Sequence, residues 1–235
     1  YEKNTKIGAH LLDAVAAPFK QDLRDYLGYM KAFSEKCGAR ILLGTEATPE
    51  LLEVEKYDYI LAAPGAEPII PKVKGHDLPH VHWAPDAENH KVACGQNVVI
   101  VGGKSIGTEA SISIAAEGKN VTVIDIEKEV DLSDTGAAFD LLELSEGNGV
   151  SRLLGWKLLE ITESVVKVEN VDTGEKREIL ADTVLMAAGL YPRVDEAVKF
   201  WNCCPPTNFF IIGDCAEVGT VRSAVWTAFE AARYI

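Results

Sequence analysis

The sequence predicts an α/β fold of the doubly wound kind, with strands and helices alternating along the chain. Three observations carry this. A four-residue apolar run, Val98–Val101, passes through Gly102 and Gly103 into a helical pattern stopped by Gly118. A second run, Val121–Ile124, follows at strand–helix–strand spacing and closes on Asp125. Further short apolar runs lie at Tyr59–Ala62, Thr183–Ala187 and Phe209–Ile212, the first ending in Pro64-Gly65, the second in Ala188-Gly189 and the last in Gly213-Asp214. Apolar runs of this length bounded by turn residues read as strands.

In order along the chain, Leu23, Tyr26, Leu27, Met30 and Phe33 recur at helical spacing between Pro18 and Gly38, which predicts an amphipathic helix. Ala39–Leu43 reads as a short buried strand, Thr48-Pro49-Glu50 as the opening of a helical turn, and Tyr59–Ala62 as a second strand. Pro64–Asn89 is rich in Pro, His and Gly and reads as a connection between domains. The βαβ unit follows: strand Val98–Val101, a helix from about Ser105 to Glu117, and strand Val121–Ile124. A helical stretch near Thr135–Leu144 gives way to period-two alternation in Val165–Val171, and Asp172-Thr173-Gly174 turns that strand into Arg177–Leu180 as an antiparallel hairpin. Strands Thr183–Ala187 and Phe209–Ile212 and a helix of about Arg222–Ile235 complete the pattern.

Composition narrows the function. The chain has 235 residues, 47% of them hydrophobic, enough for one large domain or two small ones. Its formal charge of −13 opposes nucleic acid and anionic lipid surfaces, which draw affinity from Lys and Arg meeting phosphates. No apolar run is long enough to span a bilayer and no signal peptide is legible, so the expected location is the cytoplasm. Cys37, Cys94, Cys203, Cys204 and Cys215 are odd in number and irregularly spaced, which suits reduced thiols. The chain opens at Tyr1 without an initiator Met, and it is expected to be a piece of a longer protein.

The chemistry-bearing motif is Gly102-Gly103-Lys104-Ser105-Ile106-Gly107. Its place between strand and helix, with Asp125 downstream, is that of a dinucleotide-binding G-x-G-x-x-G turn in a Rossmann-like unit. The helix starting near Ser105 would aim its amides and positive dipole end at a pyrophosphate. Asp125 would accept hydrogen bonds from ribose hydroxyls, and with Glu127 would repel a 2′-phosphate, favouring NADH over NADPH. The same turn can also pack a βαβ unit with no ligand. Lys104 stands where the middle glycine belongs, and two readings stay open: its side chain fills pyrophosphate space, or its ammonium pairs with the phosphate charge. A Walker A loop is excluded because Val98 stands where its first glycine would be. His76, His80 and His82 read as solvated loop histidines, and no metal site is expected. Cys203-Cys204 reads as buried or incidental thiols rather than a redox pair, because vicinal cysteines form a strained disulfide with difficulty.

Four segments, "IGAHLLDAVAAPFKQDLRDYLGYM", "YDYILAAPGAEPIIP", "VVIVGGKSIGTEAS" and "FFIIGDCAEVGTVRSAVWTAFEAARYI", together resemble the carboxy-terminal region of flavoproteins such as enoate reductase, 2,4-dienoyl-CoA reductase and trimethylamine dehydrogenase, of the NADH oxidase type with a pyridine nucleotide-disulfide oxidoreductase-like fold. The resemblance spans nearly the whole chain. It implies a Rossmann-like NAD(P)H-binding domain, residues 90–204, inserted in an incomplete FAD-type dinucleotide-binding domain made of residues 1–89 and 205–235. The first FAD fingerprint would precede Tyr1. In that family NADH passes a hydride to FAD, and electrons continue through an iron–sulfur cluster to FMN in an amino-terminal barrel, where substrate is reduced. By the resemblance, Gly102, Gly103, Ser105, Ile106, Gly107 and Asp125 would line NADH, with Lys104 among them in place of the family's middle glycine; Glu109 would lie near the nicotinamide ribose, Gly189 would approach the cofactor, and Gly213 and Asp214 would meet the FAD ribityl chain. Pro64 replaces the threonine of the family's ATGA segment. Trimethylamine dehydrogenase uses the corresponding region to hold ADP without hydride transfer, so a non-catalytic adenine-nucleotide module is the alternative. An unpaired sheet edge would leave room for a homo-oligomer.

Overall fold

A computed structural model describes all residues, 1–235. The chain forms two compact units. One comprises Tyr1–Val15, Lys20–Glu67 and Leu190–Ile235, and the other Ala16–Phe19 and Pro68–Gly189.

The first unit begins with α1 (His10–Ala14), α2 (Gln21–Lys36) and α3 (Pro49–Glu55). The sequence start signals of α3 are realised: the Thr48 side chain accepts from the Leu51 amide at 3.3 Å, and Pro49 fills the first helical position, where a missing N–H costs nothing. Strands β1 (Ile60–Ala62) and β2 (Ala66–Pro68) follow. The strand expected over Ala39–Leu43 does not form. Only Leu43 is engaged, in a single bridge to Glu2, and Ile41 and Leu43 lie exposed; an apolar run without a ladder partner stays irregular.

The second unit holds β3 (Val81–Trp83), α4 (Ala84–Glu88), β4 (Asn97–Val101), α5 (Ser105–Ala116), β5 (Asn120–Asp125), α6 (Ala138–Gly147), β6 (Ser151–Leu154), β7 (Trp156–Ile161), β8 (Val165–Asn170), β9 (Lys176–Leu180) and β10 (Thr183–Met186). Its centre is a parallel sheet in the order β3-β10-β4-β5-β6. Alternate residues of β4 face opposite layers. Val98 and Ile100 pack with Ala84, Ala87, Ala110 and Ile114 of the helices, whereas Val99 and Val101 pack with Trp156, Ile161, Val166 and Val168 of the antiparallel meander β7-β8-β9. A strand covered on both faces must be apolar throughout, which is why Val98–Val101 reads as a continuous run. In β8 one face is wet, so Val166 and Val168 alternate with Lys167 and Glu169.

The stretch Pro64–Asn89, expected to be a bare connection, is a correction: it contains β2, β3 and α4. Val81–Trp83 is too short to show a period. It becomes a strand because Val184, Leu185 and Met186 of β10 offer it a parallel ladder. The chain then returns to the first unit through β11 (Leu190–Pro192), α7 (Val194–Ala197), β12 (Phe209–Ile211) and α8 (Val221–Ala232). Strand β12 pairs in parallel with β1 alone. No helix is long and apolar enough to cross a membrane.

Candidate dinucleotide site

The strand order of the second unit reverses at β4: β5 and β6 extend to one side, β10 and β3 to the other. In open α/β sheets the ligand crevice forms at the carboxyl ends of the strands at such a switch point. Gly102 follows β4 there, and Ala187-Ala188-Gly189 follow β10. A Cβ on Gly102, whose φ is +108°, would lie 2.3 Å from the Ala187 carbonyl oxygen. A Cβ on Gly107 would lie 1.8 Å from the Gly102 carbonyl oxygen. Both positions therefore demand glycine, and the turn is closed against its own helix and against the end of β10.

The middle position does not. Lys104 has φ −71° and ψ −169° as the residue preceding α5, an ordinary extended conformation for a side-chain-bearing residue. Its ammonium reaches the Asp131 carboxylate at 3.1 Å on the surface. The side-chain and backbone groups of Ser133, then Lys104, hold Asp131 down to about 2 from its ordinary 3.8, and Asp131 in turn raises Lys104. Ser105 Oγ donates to Asp134. Both acids ride on a loop anchored by Leu132, buried against Ile112 and Leu141, a burial worth about 1.5–3 kcal/mol.

Some backbone donors of the turn are already claimed and others are not. Gly102 N donates to Ile124 O at 2.8 Å, and Gly103 N donates to Asp125 Oδ2 at 2.6 Å. Thr108 N donates to Lys104 O at 2.8 Å, the first bond of the helix. No side chain caps α5, so the amides of Lys104, Ser105, Ile106 and Gly107 are the four that a helix start leaves without intrahelical acceptors. Donors so placed at the positive end of a 12-residue helix suit an anion chemically. Asp125 Oδ1 accepts from Glu127 N at 2.9 Å. Each carboxylate oxygen keeps a further lone pair, so Asp125 can still receive a ribose hydroxyl while it braces the turn.

The structure thus brings Gly102, Gly103, Lys104, Ser105, Ile106, Gly107 and Asp125 to one sheet end, with Glu109 one turn into α5 and Gly189, φ +102°, on the neighbouring strand exit. Gly213 and Asp214 belong to the first unit, at the end of β12. There Gly213 N donates to Thr227 Oγ1 at 3.0 Å and Asp214 Oδ1 accepts from Gly219 N at 3.2 Å, next to the start of α8. Thr108 and Arg152 carry no signal in the sequence; their side chains meet only where α5, α6 and β6 pack together. Burial raises the thiols of Cys94, Cys203, Cys204 and Cys215, which makes them poor nucleophiles. His76 Nδ1 bonds the Val73 carbonyl at 2.9 Å, and no group of three or more His, Cys, Asp or Glu gathers as metal ligands.

The chain is 28% identical over its whole length to a bilirubin reductase of Mediterraneibacter gnavus and 27% identical over 99% of its length to an NADH oxidase of Thermoanaerobacter brockii, spanning 36% of each. It superposes over all its residues on a 2-naphthoyl-CoA reductase with a TM-score of 0.89 and 27% identity, covering 35% of that chain. It shares the fold of a thioredoxin reductase of T. acidophilum, with a TM-score of 0.74 at 18% identity over 98% of this chain and 86% of that one. The profile of the pyridine nucleotide-disulphide oxidoreductases matches residues 19–229, and the chain belongs to that family of oxidoreductases, which implies binding of FAD and NAD(P)H.

Proposed function

We propose that this chain is the dinucleotide-binding part of a longer, cytoplasmic NADH-dependent flavin oxidoreductase, with NADH held at the Gly102–Gly107 turn. The observation that carries the reading is the set of four unclaimed amides, Lys104 to Gly107, at the start of α5 beside the Asp125 carboxylate. The residues fit the group. The pyrophosphate would take the amides, the adenine ribose would meet Asp125, and the acids Asp125, Glu127, Asp131 and Asp134 would disfavour a further phosphate on that ribose. Glu109 and Gly189 would line the nicotinamide side. The chemistry supplied at such a site, once a reduced nicotinamide is bound, is donation of a hydride to flavin.

For the flavin the fit is partial. Gly213 and Asp214 would hold its ribityl chain, but a short 3-10 turn and a loop separate Gly213 from Thr220, the N-cap of α8, so that turn does not lead directly into a helix start as Gly102–Gly107 does, and the Ser223 amide at the start of α8 is already claimed by Thr220. The substrate would be reduced in the remainder of the protein, where the resemblance places FMN and an iron–sulfur cluster.

The test is a titration of the 235-residue chain and its Asp125→Asn variant with NADH, NADPH and ADP, followed by nicotinamide fluorescence and by calorimetry. NADH is expected to bind at least about tenfold more tightly than NADPH, and Asp125→Asn is expected to narrow that gap. Absence of NADH binding would overturn the reading. ADP binding as tightly as NADH, together with no flavin reduction by NADH in the full-length protein, would instead establish an adenine-nucleotide module.

A further inference from the structure

We propose that Thr108 and Arg152 are positioning residues of this site, turning the Lys104 amide outward to meet phosphate; the proposal rests on the reading of the turn as the NADH site. Thr108 lies fully buried one residue beyond Gly107 and donates from Oγ1 to the Gly103 carbonyl at 2.8 Å. Gly103 C=O and Lys104 N–H share one trans peptide plane and point in opposite directions. Anchoring the carbonyl inward therefore aims the amide outward, away from the core. Without that anchor the plane is free to rotate, because Gly103 has no side chain to restrain it.

Arg152 fixes the anchor. Val123 of β5 and Arg152 of β6 are register partners, and Arg152 Nη2 donates to Ser145 Oγ at 2.9 Å and to Thr108 Oγ1 at 3.3 Å. A guanidinium can only donate. With Arg152 occupying a lone pair of the Thr108 hydroxyl, the hydroxyl hydrogen is directed to Gly103. The relay thus runs from a half-buried cation through one hydroxyl to the phosphate-facing peptide, and hydrogen bonds in such a chain reinforce one another. Keeping a guanidinium here has a cost: Arg152 Nη1 is buried without a partner, and burial lowers the Arg152 pKa. An apolar side chain would pack against Val123 without that cost. The cation also sits on the protein side of a turn whose outer rim carries Asp125, Asp131 and Asp134, and so offsets repulsion of an incoming anion.

The experiment measures binding of NADH, ADP and adenosine to the 235-residue chain and to Thr108→Val, Thr108→Ser, Arg152→Met and the Thr108→Val/Arg152→Met double variant. Thr108→Val, which keeps the shape and removes the hydroxyl, is expected to weaken NADH and ADP by about tenfold and leave adenosine unchanged, while Thr108→Ser binds as the parent does. Arg152→Met is expected to weaken both by about three- to tenfold, and the double variant to be no weaker than Thr108→Val within about twofold, as members of one relay. If Thr108→Val proves unfolded, Arg152→Lys decides: it loses the fork that spans Ser145 and Thr108, and an ADP affinity equal to the parent's overturns the proposal. So does any result in which Thr108→Val and Arg152→Met bind ADP as the parent does, or lose adenosine and ADP equally. A parent that binds neither NADH nor ADP overturns the reading of the site and this inference with it; a parent that binds both, with unaltered variants, overturns the inference alone.

Discussion

The two units use the same local grammar and reach different degrees of closure. In each, a parallel strand ends in a glycine turn that precedes a 12-residue helix: β4 passes through Gly102 directly into α5, and β12 through Gly213, a short 3-10 turn and a loop into α8. Helix α5 buries eight of its residues, from Gly107 to Ala115, whereas α8 buries Ala231 alone and leaves Trp226 and Phe229 more than half exposed. The difference lies in the layers. Strand β4 has neighbours on both edges and packing on both faces, while β12 has β1 as its one partner. Turn and cap residues specify the element, and the number of strands available to cover it specifies how much apolar surface it removes from water. The second unit should accordingly hold most of the chain's stability and the better-defined site.

Adding one methyl group to each turn is the strongest way to break that comparison. In Gly107→Ala the new Cβ would lie 1.8 Å from a backbone oxygen that cannot move without opening the turn, and a loss of about 3 kcal/mol is expected, together with loss of NADH binding. In Gly213→Ala the Cβ meets nothing closer than Ala224 Cβ at 3.9 Å, so the cost is the left-handed φ of +68° alone, about 1–2 kcal/mol. Urea unfolding followed by circular dichroism compares the two. Equal losses would show that the tight packing around Gly107 gives way easily, and that the two turns are energetically alike.

How much of this was legible in the sequence follows the same division. Strand β4, the Gly102 turn, α5 and Asp125 were readable because both faces of the strand are buried and both helix limits carry a signal, Gly102 and Gly103 before and Gly118 after. The hairpin β8-β9 was readable from its period of two and Asp172-Thr173-Gly174. Strands β3, β6 and β7 were not. Val81–Trp83 owes its strand form to β10, about a hundred residues away in sequence. Ala39–Leu43 carried a strand composition without a partner. The turn residues were legible as a motif, but that Lys104 tolerates its position follows from a φ that composition does not encode. Thr108 looked like any small helix residue; its contact with Gly103 required knowing which way α5 faces.

Removing the surface pair of the second unit should matter far less than altering its turn. Lys104 and Asp131 are both about half exposed, and water screens an exposed pair so that it contributes little. Lys104→Gly is therefore expected to change NADH affinity by less than about threefold. Asp131→Asn frees the ammonium for phosphate and is expected to tighten NADH by up to about fivefold at low salt, fading as salt screens the charges. Because Asp131 is depressed to about 2, the pair's contribution is present above the ordinary 3.8 and lost as pH falls through about 2, so both effects should be flat between pH 5 and 9. A Lys104→Gly variant that binds NADH more than tenfold better would mean that the side chain, not the backbone, governs entry.

The first unit offers the smallest effect, in a polar tie rather than a buried layer. His10 Nε2 lies 2.9 Å from the Ala66 carbonyl and Nδ1 lies 3.5 Å from Asp13, so the ring links α1 to the segment after β1. The Asp13 hydrogen bond raises the His10 pKa against the opposing effect of burial, with smaller contributions from the Ala66 carbonyl and the Asp214 charge. A group whose folded pKa is raised stabilises fully below its unfolded value of 6.5, and that contribution fades as pH climbs through the folded value. Since the ring is one-third exposed, a few tenths to about 1 kcal/mol is expected. Melting curves of the parent and His10→Gln should differ most near pH 5.5 and converge toward the loss of the Ala66 bond alone by pH 8.5. A difference that grows with pH would reverse the sign of the argument and place the stabilising form of His10 in its neutral state. The first unit would then be held by the geometry of the Ala66 bond, independent of charge.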